Sequence, residues 1–224
     1  MNDDLYLEQI QLGPMENFVY LIGSKSTREV SVVDPAWDID FLLKHIEKKD
    51  LKLSSILVTH YHPDHIGGGF GGHSIEGVAE LMHKNPVRIY SNKNEADGVI
   101  KVTGVSETDL VRVDSGDHLK IGENNIEFLH TPGHTPGSQC FKINNNLISG
   151  DTLFIQGCGR VDLPGSNSDQ MYNSLQHLSS LPNETILYPG HHYSEEESAT
   201  LGEVKEKNVH MRITDMETWK ELMG

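Results

Sequence analysis

The sequence predicts an α/β fold in which two β-sheets pack against each other and helices lie outside them. Three strand-like segments, residues 5–12, 17–23 and 29–34, precede a helical pattern that opens at Asp38. Further along the chain, several short strands again precede a helical pattern at residues 169–180. Because strands and helices recur in groups, this order favours a sandwich of two sheets. A single parallel sheet would instead have strands and helices that alternate one by one.

Composition limits the classes of function. With 224 residues, we expect a single domain over residues 1–224 with a short helical extension at about 198–224. The formal net charge of −15 argues against partners such as nucleic acid or an anionic membrane surface. The only two cysteines, Cys140 and Cys158, indicate no disulfide framework. An acidic start and no apolar run of membrane-spanning length favour a cytoplasmic enzyme with a small-molecule substrate, of undetermined oligomeric state.

The remaining elements follow from local patterns. The first strands alternate or run apolar, as an antiparallel start to a sheet would, and residues 55–59 form a buried strand. A helix is predicted over residues 74–84, while residues 92–107 show no clear pattern, and residues 198–223 predict one or two exposed helices. A glycine run at residues 67–72 is either a flexible loop or a rim of the site. Further strands are predicted at residues 87–90, 109–113, 118–121, 125–130, 138–143, 147–149 and 185–188.

Residues 59–68 contain the densest group of potential metal ligands. His60, His62, Asp64 and His65 directly follow the buried strand at 55–59, and α/β proteins usually place their chemistry at the carboxyl ends of strands. Imidazole and carboxylate groups suit zinc or another divalent transition metal. Since His60 and His62 can point one way and the residues after Pro63 another, this loop can serve two ions.

Three further ligand-type residues also follow predicted strands. His134, Asp151 and His191 each lie in a glycine-containing turn at a strand end. Seven such residues suffice for two ions that share one carboxylate. Two cations about 3.5–4 Å apart can hold a hydroxide and polarise a carbonyl, because they lower the pKa of bound water to about 7.

The motif His60-Tyr61-His62-Pro63-Asp64-His65, together with His134, Asp151 and His191, resembles the five-part signature of the metallo-β-lactamase superfamily. The resemblance covers nearly the whole chain and implies a four-layer αβ/βα sandwich with a metal site between the sheet edges. It implies that His60, His62 and His134 bind one metal, that Asp64, His65 and His191 bind the second, and that Asp151 bridges them. Asp64 and Asp151 are then the candidate catalytic carboxylates, and the expected cofactors are two divalent ions, zinc first, with iron or manganese as alternatives.

Residues 150–160 and 188–191 look most like the glyoxalase II branch of that superfamily, whose members hydrolyse S-hydroxyacylglutathione thioesters. The resemblance implies attack of metal-bound hydroxide on a thioester. Residues 157–162 are equally similar to the glutathione persulfide dioxygenases, in which His60, His134 and Asp151 would hold one iron. A lactone or amide hydrolase of the same superfamily is a third hypothesis. The motif alone leaves these alternatives open.

The sequence departs from the glyoxalase II pattern where that family binds glutathione. Arg160 and Val161 follow the Gly-Cys-Gly turn in place of a lysine and aromatic residues, and only 33 residues follow His191. Arg160 is the candidate substrate-binding residue for an anionic group, with a salt bridge to Asp162 as the alternative. Cys158 is interpreted as a small packed residue. Other candidates are His130 and His192 as groups that orient ligands, and Lys205, Lys207 and Arg212 as a reduced basic patch.

Overall fold

The computed structural model describes residues 4–223, and in this range two six-stranded sheets and a separate two-stranded hairpin are formed. Strands are numbered along the chain. The first sheet contains, in spatial order, β1 (Leu5–Leu12), β2 (Asn17–Ser24), β3 (Glu29–Val33), β4 (Lys52–Leu57), β7 (Arg88–Asn92) and β8 (Leu110–Val113). β1, β2 and β3 pair antiparallel, as predicted, and β3, β4, β7 and β8 pair parallel. The hairpin consists of β5 (Gly68–Phe70) and β6 (His73–Ile75).

The second sheet is built from the other half of the chain. It contains, in spatial order, β14 (Ala199–Thr200), β13 (Ile186–Pro189), β12 (Asn146–Gly150), β11 (Gln139–Ile143), β10 (Asn124–His130) and β9 (His118–Ile121). β12 and β13 are parallel, and β11 is antiparallel to both β10 and β12. The carboxyl ends of β10, β12 and β13 therefore lie at the same edge of this sheet.

Apolar packing forms three layers around the two sheets. β2 is buried along its whole length. Its residues Val19 and Leu21 pack toward the helices, while Phe18, Tyr20 and Ile22 pack toward the second sheet. A strand buried on both faces reads as a continuous apolar run, which is the pattern of this segment.

Helices cover the outer face of each sheet. On the first sheet lie α1 (Ile39–Lys48), α3 (Val78–Lys84) and α4 (Ala96–Thr103), and on the second lie α5 (Ser168–Ser179), α6 (Leu201–Lys207) and α7 (Met216–Met223). α2 (Pro63–Ile66) is one turn within the histidine-rich loop. As predicted, α1 begins after Asp38, whose carboxylate accepts a hydrogen bond from the Phe41 backbone N–H at 2.9 Å. The predicted four-layer αβ/βα sandwich is confirmed, and none of the described helices has the length and apolarity needed to cross a bilayer.

The secondary structure of residues 73–75 and 92–107 differs from the sequence-based expectation. Residues 73–75 form strand β6, so the helix predicted from residue 74 begins at Val78. The unassigned segment 92–107 contains α4, whose Gly98 and β-branched residues lower its helix propensity. Gly98 is required because a Cβ there would lie 2.5 Å from the Tyr61 ring.

The C-terminal helices are amphipathic and cover the second sheet, so the expectation that they are exposed is wrong. Leu201, Val204 and Trp219 are buried in the cluster that packs on this sheet. The Trp219 indole N–H also donates to the carbonyl and hydroxyl oxygens of Ser168, both at 2.9 Å. These helices are part of the outer layer because their apolar side chains are buried in the folded protein. A short segment rich in polar residues does not reveal that burial.

A buried carboxylate connects the loops at the shared edge of the two sheets. Glu95, at the start of α4, is fully buried. It accepts hydrogen bonds of 2.7 Å each from the Tyr61 N–H, the Thr135 hydroxyl and the Gly137 N–H. Burial raises the pKa of Glu95 to about 7, against the effect of these donors. Glu95 therefore joins the histidine-rich loop after β4 to the loop after β10.

We expect Trp219→Ala to lower the free energy of unfolding by about 3–5 kcal/mol, because a fully buried indole and its hydrogen bonds are lost. Leu222→Ala on the same helix is the matched control, since Leu222 is 50% exposed. Urea unfolding followed by far-UV circular dichroism measures both. Equal, small effects of the two substitutions would show that α7 does not contribute to the core.

We expect Glu95→Gln to lower the free energy of unfolding by about 1–3 kcal/mol. The amide NH2 of glutamine only donates hydrogen bonds, so it would face another donor where the carboxylate oxygen now accepts one. Glu107→Gln is the control, as the Glu107 side chain is 74% exposed. Thermal unfolding at neutral pH compares the two variants. A wild-type melting temperature for Glu95→Gln would contradict the proposed link between the loops.

Candidate metal centre

Strand ends from both sheets deliver the seven predicted ligands to one place. The chain leaves β4 toward His60 and His62, leaves β10 toward His134, and continues directly from β12 into Asp151. His191 follows β13 at the same edge of the second sheet. The two edges are joined through backbone hydrogen bonds from Gln139 N to Thr59 O at 3.0 Å and from Phe18 N to Gly190 O at 2.8 Å.

Three histidines form the first group of ligands. His60, His62 and His134 each offer one ring nitrogen, and these atoms lie within 4.8 Å of one another. His62 Nδ1 and His134 Nε2 are 2.9 Å apart. The resemblance to the metallo-β-lactamase superfamily implies that these residues bind one metal, and they lie together in the structure.

Asp64, His65 and His191 form the second group. Their candidate ligand atoms also lie within 4.8 Å of one another. His65 Nε2 is 3.1 Å from His191 Nε2, and Asp64 Oδ2 is 3.4 Å from each of these nitrogens. The Asn17 amide donates to Asp64 Oδ2 at 3.0 Å and thereby orients this carboxylate.

Asp151 lies between the two groups. Its Oδ2 is 3.6 Å from His134 Nε2 in the first group and 3.4 Å from His191 Nε2 in the second, and its Oδ1 is 3.3 Å from His65 Nε2. The close approach of the β13 end requires a glycine at position 190, because a Cβ there would lie 2.3 Å from Asp151 Oδ1. This is the position that a shared carboxylate would occupy.

Hydrogen bonds on the far side of the rings direct their lone pairs into the cluster. The Nδ1 atoms of His134 and His191 lie 2.9 Å from the backbone oxygens of Arg160 and Met15, respectively. A carbonyl oxygen only accepts, so each Nδ1 carries a proton, and in the neutral imidazole the lone pair of Nε2 points into the cluster. His65 Nδ1 is held in the same way by Asp34 Oδ2 at 3.1 Å.

Asp34 and Asn17 are functional residues that the sequence reasoning missed. Asp34 Oδ1 accepts from the Thr59 N–H at 2.7 Å, and Oδ2 accepts from the Thr59 hydroxyl at 2.5 Å and from His65. The signal was available for Asp34, since it follows β3 as Asp151 follows β12. Asn17, at the start of β2, is fixed by the Trp37 indole N–H and gave no comparable signal.

Burial and neighbouring charges set the protonation of the cluster. Burial lowers the pKa of His60 well below its usual value and that of His62 to about 4, so both rings are neutral. Burial also opposes the charge on His191, but Asp151 and Asp64 outweigh it and raise its pKa to about 9. The carboxylates thus attract positive charge to this point, and a bound cation would supply it in place of a proton.

The donor set fits divalent cations. Among the buried side-chain atoms of residues 4–223, His60 Nε2 and Asp151 Oδ1 make no hydrogen bond. Buried polar atoms without partners are rare, and two of the six in the described residues belong to ligand-type side chains of this one cluster. Imidazole and carboxylate together are the donors that zinc and iron accept. The cluster is therefore a divalent metal site.

A cavity of about 560 Å³ opens onto the cluster and is lined by ligand-type residues of both groups. Arg160 and Cys158 also line it. The Arg160 guanidinium donates two hydrogen bonds to Asp162, at 2.8 and 2.7 Å, so the alternative salt bridge is formed and binding of a substrate anion by Arg160 stays a prediction. Burial raises the pKa of Cys158 to about 12, so its thiol stays protonated at neutral pH.

Two further candidates have other contacts. In the described structure the rings of His130 and His192 bond to Pro136 O at 3.0 Å and to Gln11 Oε1 at 3.1 Å, not to a ligand-type side chain. The prediction that they orient ligands is wrong, because Asp34 and backbone carbonyls do this. Cys140 is fully buried, as expected for a core residue.

Comparison with known proteins agrees with this geometry. The model of the metallo-beta-lactamase superfamily matches residues 12–191. A probable hydroxyacylglutathione hydrolase of Schizosaccharomyces pombe is 32% identical over 94% of this chain and 88% of its own length. The probable polyketide biosynthesis zinc-dependent hydrolase BaeB of Bacillus velezensis is 30% identical over 90% and 84%, respectively.

A solved structure is similar over nearly the whole fold. The crystal structure of ETHE1 from Myxococcus xanthus superimposes with a TM-score of 0.83 and 28% identity, covering 97% of this chain and 89% of that one. The match of the family model, the identity to the curated relatives and the αβ/βα sandwich all lead to one assignment. This chain belongs to the metallo-β-lactamase superfamily, in its glyoxalase II-like branch.

Proposed function

We propose that this protein is a metal-dependent hydrolase that cleaves thioesters, with S-hydroxyacylglutathione as the first substrate to test. The observation that carries the proposal is the position of Asp151 between two groups of three ligand-type residues, beneath an open cavity. The related hydroxyacylglutathione hydrolase and zinc-dependent hydrolase support the same class of reaction.

The chain's residues would divide the site into two positions. His60, His62 and His134 would hold one cation, and Asp64, His65 and His191 would hold the other. Asp151 would contact both cations. Because Asp64 would hold one cation and Asp151 both, these two carboxylates would be the nearest to the reacting groups. Bound divalent cations supply Lewis acidity and make a water nucleophilic at neutral pH.

The surrounding residues preserve this arrangement during the reaction. Asp34 and the carbonyls of Met15 and Arg160 keep the imidazole lone pairs directed inward. Asn17 orients Asp64 through its amide. In the overall reaction water forms a C–O bond at the thioester carbonyl, the C–S bond breaks, and the products are a carboxylic acid and a thiol.

A second candidate is an iron-dependent dioxygenase acting on glutathione persulfide. His60 and His134, with ring centroids 4.8 Å apart, and Asp151 Oδ2, 3.6 Å from His134 Nε2, would supply two imidazoles and one carboxylate to a single ion. The fold similarity to ETHE1 is compatible with this candidate. We place the hydrolase first because the curated relatives at 32% and 30% identity are named as hydrolases.

The two candidates differ in metal content and products. For the hydrolase we expect two metal ions per chain by elemental analysis, release of free thiol from S-lactoylglutathione or another thioester, and no oxygen consumption. One iron per chain with oxygen uptake on glutathione persulfide would contradict the hydrolase. A simple lactone, assayed on the same preparation, tests the lactonase alternative.

We expect Asp151→Ala to reduce thioester hydrolysis by more than about a hundredfold and to lower metal content below that of the wild type, because both positions lose a ligand. Asp40→Ala is the control, since the Asp40 side chain is 63% exposed and pairs with Lys84 on the surface. Elemental analysis and initial rates are measured on both variants. Wild-type turnover in Asp151→Ala would refute the shared-carboxylate arrangement.

A further inference from the structure

The cavity above the metal site has a wall that is largely apolar. The apolar lining side chains are Met15, Phe70, Phe154, Leu163, Pro164 and Tyr193. They come from the β1–β2 turn, the β5–β6 hairpin, the loop after β12 and the segment after β13. Since four segments distant in sequence contribute, this wall is a product of the whole fold.

Two of these side chains are exposed although they are large and aromatic. Phe70 is 47% and Tyr193 51% exposed, and they belong to only five large hydrophobic side chains that are exposed in the described structure. Apolar surface left in contact with water at the mouth of a cavity is a recognised feature of ligand-binding sites. An apolar ligand would gain free energy by covering these rings.

The apolar wall reaches the metal ligands directly. The Tyr193 ring stacks on the His191 ring with centroids 4.5 Å apart and an interplanar angle of 11°. Phe154 packs edge-on against Tyr193 at 5.4 Å. A group bonded to a carbonyl carbon at the metal site would therefore have aromatic carbon directly beside it.

Positive charge for an anionic substrate is scarce in this cavity. Apart from histidines, Arg160 is the cationic side chain that lines it within residues 4–223, and its Nε and Nη2 atoms donate to the carboxylate of Asp162. The predicted basic patch does not line the cavity, and the Lys205 ammonium donates to Leu181 O and Asn183 Oδ1. A carrier with free carboxylates, such as glutathione, would meet no unpaired cation among these lining residues.

We propose that the preferred substrates are thioesters with an extended apolar acyl group on an uncharged thiol arm, with Phe70, Phe154 and Tyr193 as the specificity-determining residues. This inference deepens the proposed function and rests on it. The acyl chain lies along the aromatic wall while its carbonyl faces Asp151. Hydrolysis joins a water oxygen to that carbonyl carbon, breaks the C–S bond, and releases a fatty acid and a neutral thiol.

The test uses the metal-loaded protein with acetyl, butanoyl, hexanoyl and octanoyl thioesters of N-acetylcysteamine, and with S-lactoylglutathione. We expect kcat/KM to rise about threefold per methylene group, because each methylene leaves water for an apolar wall. The octanoyl thioester should exceed S-lactoylglutathione. Binding of the unreactive methyl and octyl thioethers of N-acetylcysteamine, measured by calorimetry, should follow the same order.

Phe70→Ala separates recognition by the wall from a general loss of activity. We expect this variant to lower kcat/KM for the octanoyl thioester and affinity for the octyl thioether by about three- to tenfold, with a smaller loss of kcat/KM for the acetyl thioester. Phe41→Ala is the matched control, since Phe41 is also exposed, at 41%, but lies on α1 and does not line the cavity.

The outcomes distinguish the two claims. Faster cleavage of S-lactoylglutathione, with no dependence on chain length, would overturn the substrate preference and leave the thioester hydrolase intact. No cleavage of any thioester by the metal-loaded protein would overturn the proposed function. In that case the thioethers still decide the preference, because equal affinity for the methyl and octyl forms refutes an apolar acyl site.

Discussion

The hydrogen bonds of Asp34 hold together the part of the structure on which the site depends. This buried carboxylate, at the end of β3, binds the backbone and hydroxyl of Thr59 and the Nδ1 atom of His65. It therefore fixes both ends of the loop that carries the early ligand cluster. Because β3 and β4 are parallel neighbours, the distance that Asp34 spans is set by the sheet itself. The rigid first sheet therefore fixes the conformation of the loop.

A site shared by two sheets also needs connections between their edges. Glu95 joins the loop after β4 to the loop after β10, and Asn17 at the start of β2 forms a β-bridge with His191 after β13. A backbone hydrogen bond links Phe18 to Gly190 beside His191. These contacts use buried polar groups with satisfied hydrogen bonds, which allow only one arrangement of the edges. Without a unique arrangement, six ligand-type residues on two sheets would not surround Asp151.

The metal cluster and the cavity wall have different physical requirements, although they are in direct contact. The cluster is polar, buried and held by hydrogen bonds from both sheets. The wall is apolar, partly exposed, and contributed by turns and loops such as the β5–β6 hairpin, where Phe70 lies. Loop residues can change without loss of the hydrogen bonds that position the ligands. One reaction centre can therefore serve different substrates in related proteins.

Local patterns were sufficient for the strands of the two large sheets except β14, for most helices and for the identity of the ligand-type residues. Burial on both sheet faces produces apolar runs such as residues 55–59, and strands that end in His, Asp and glycine mark a sheet edge. The same information failed for α4, whose glycine and β-branched residues resemble a loop. It also failed for the burial of α7, a helix that the sequence predicts but predicts as exposed. In both cases long-range packing decides what local patterns do not show.

The sequence by itself determined that seven ligand-type residues exist and that they follow strands. Only the tertiary structure decided that Asp151 lies between two groups, that Asp34 and backbone carbonyls orient the imidazoles, and that Asp162 occupies the Arg160 guanidinium. The reason is that ligand type and strand position are local properties of the chain. Distances between residues far apart in sequence, and the burial that sets their charge, arise only when the two sheets pack together.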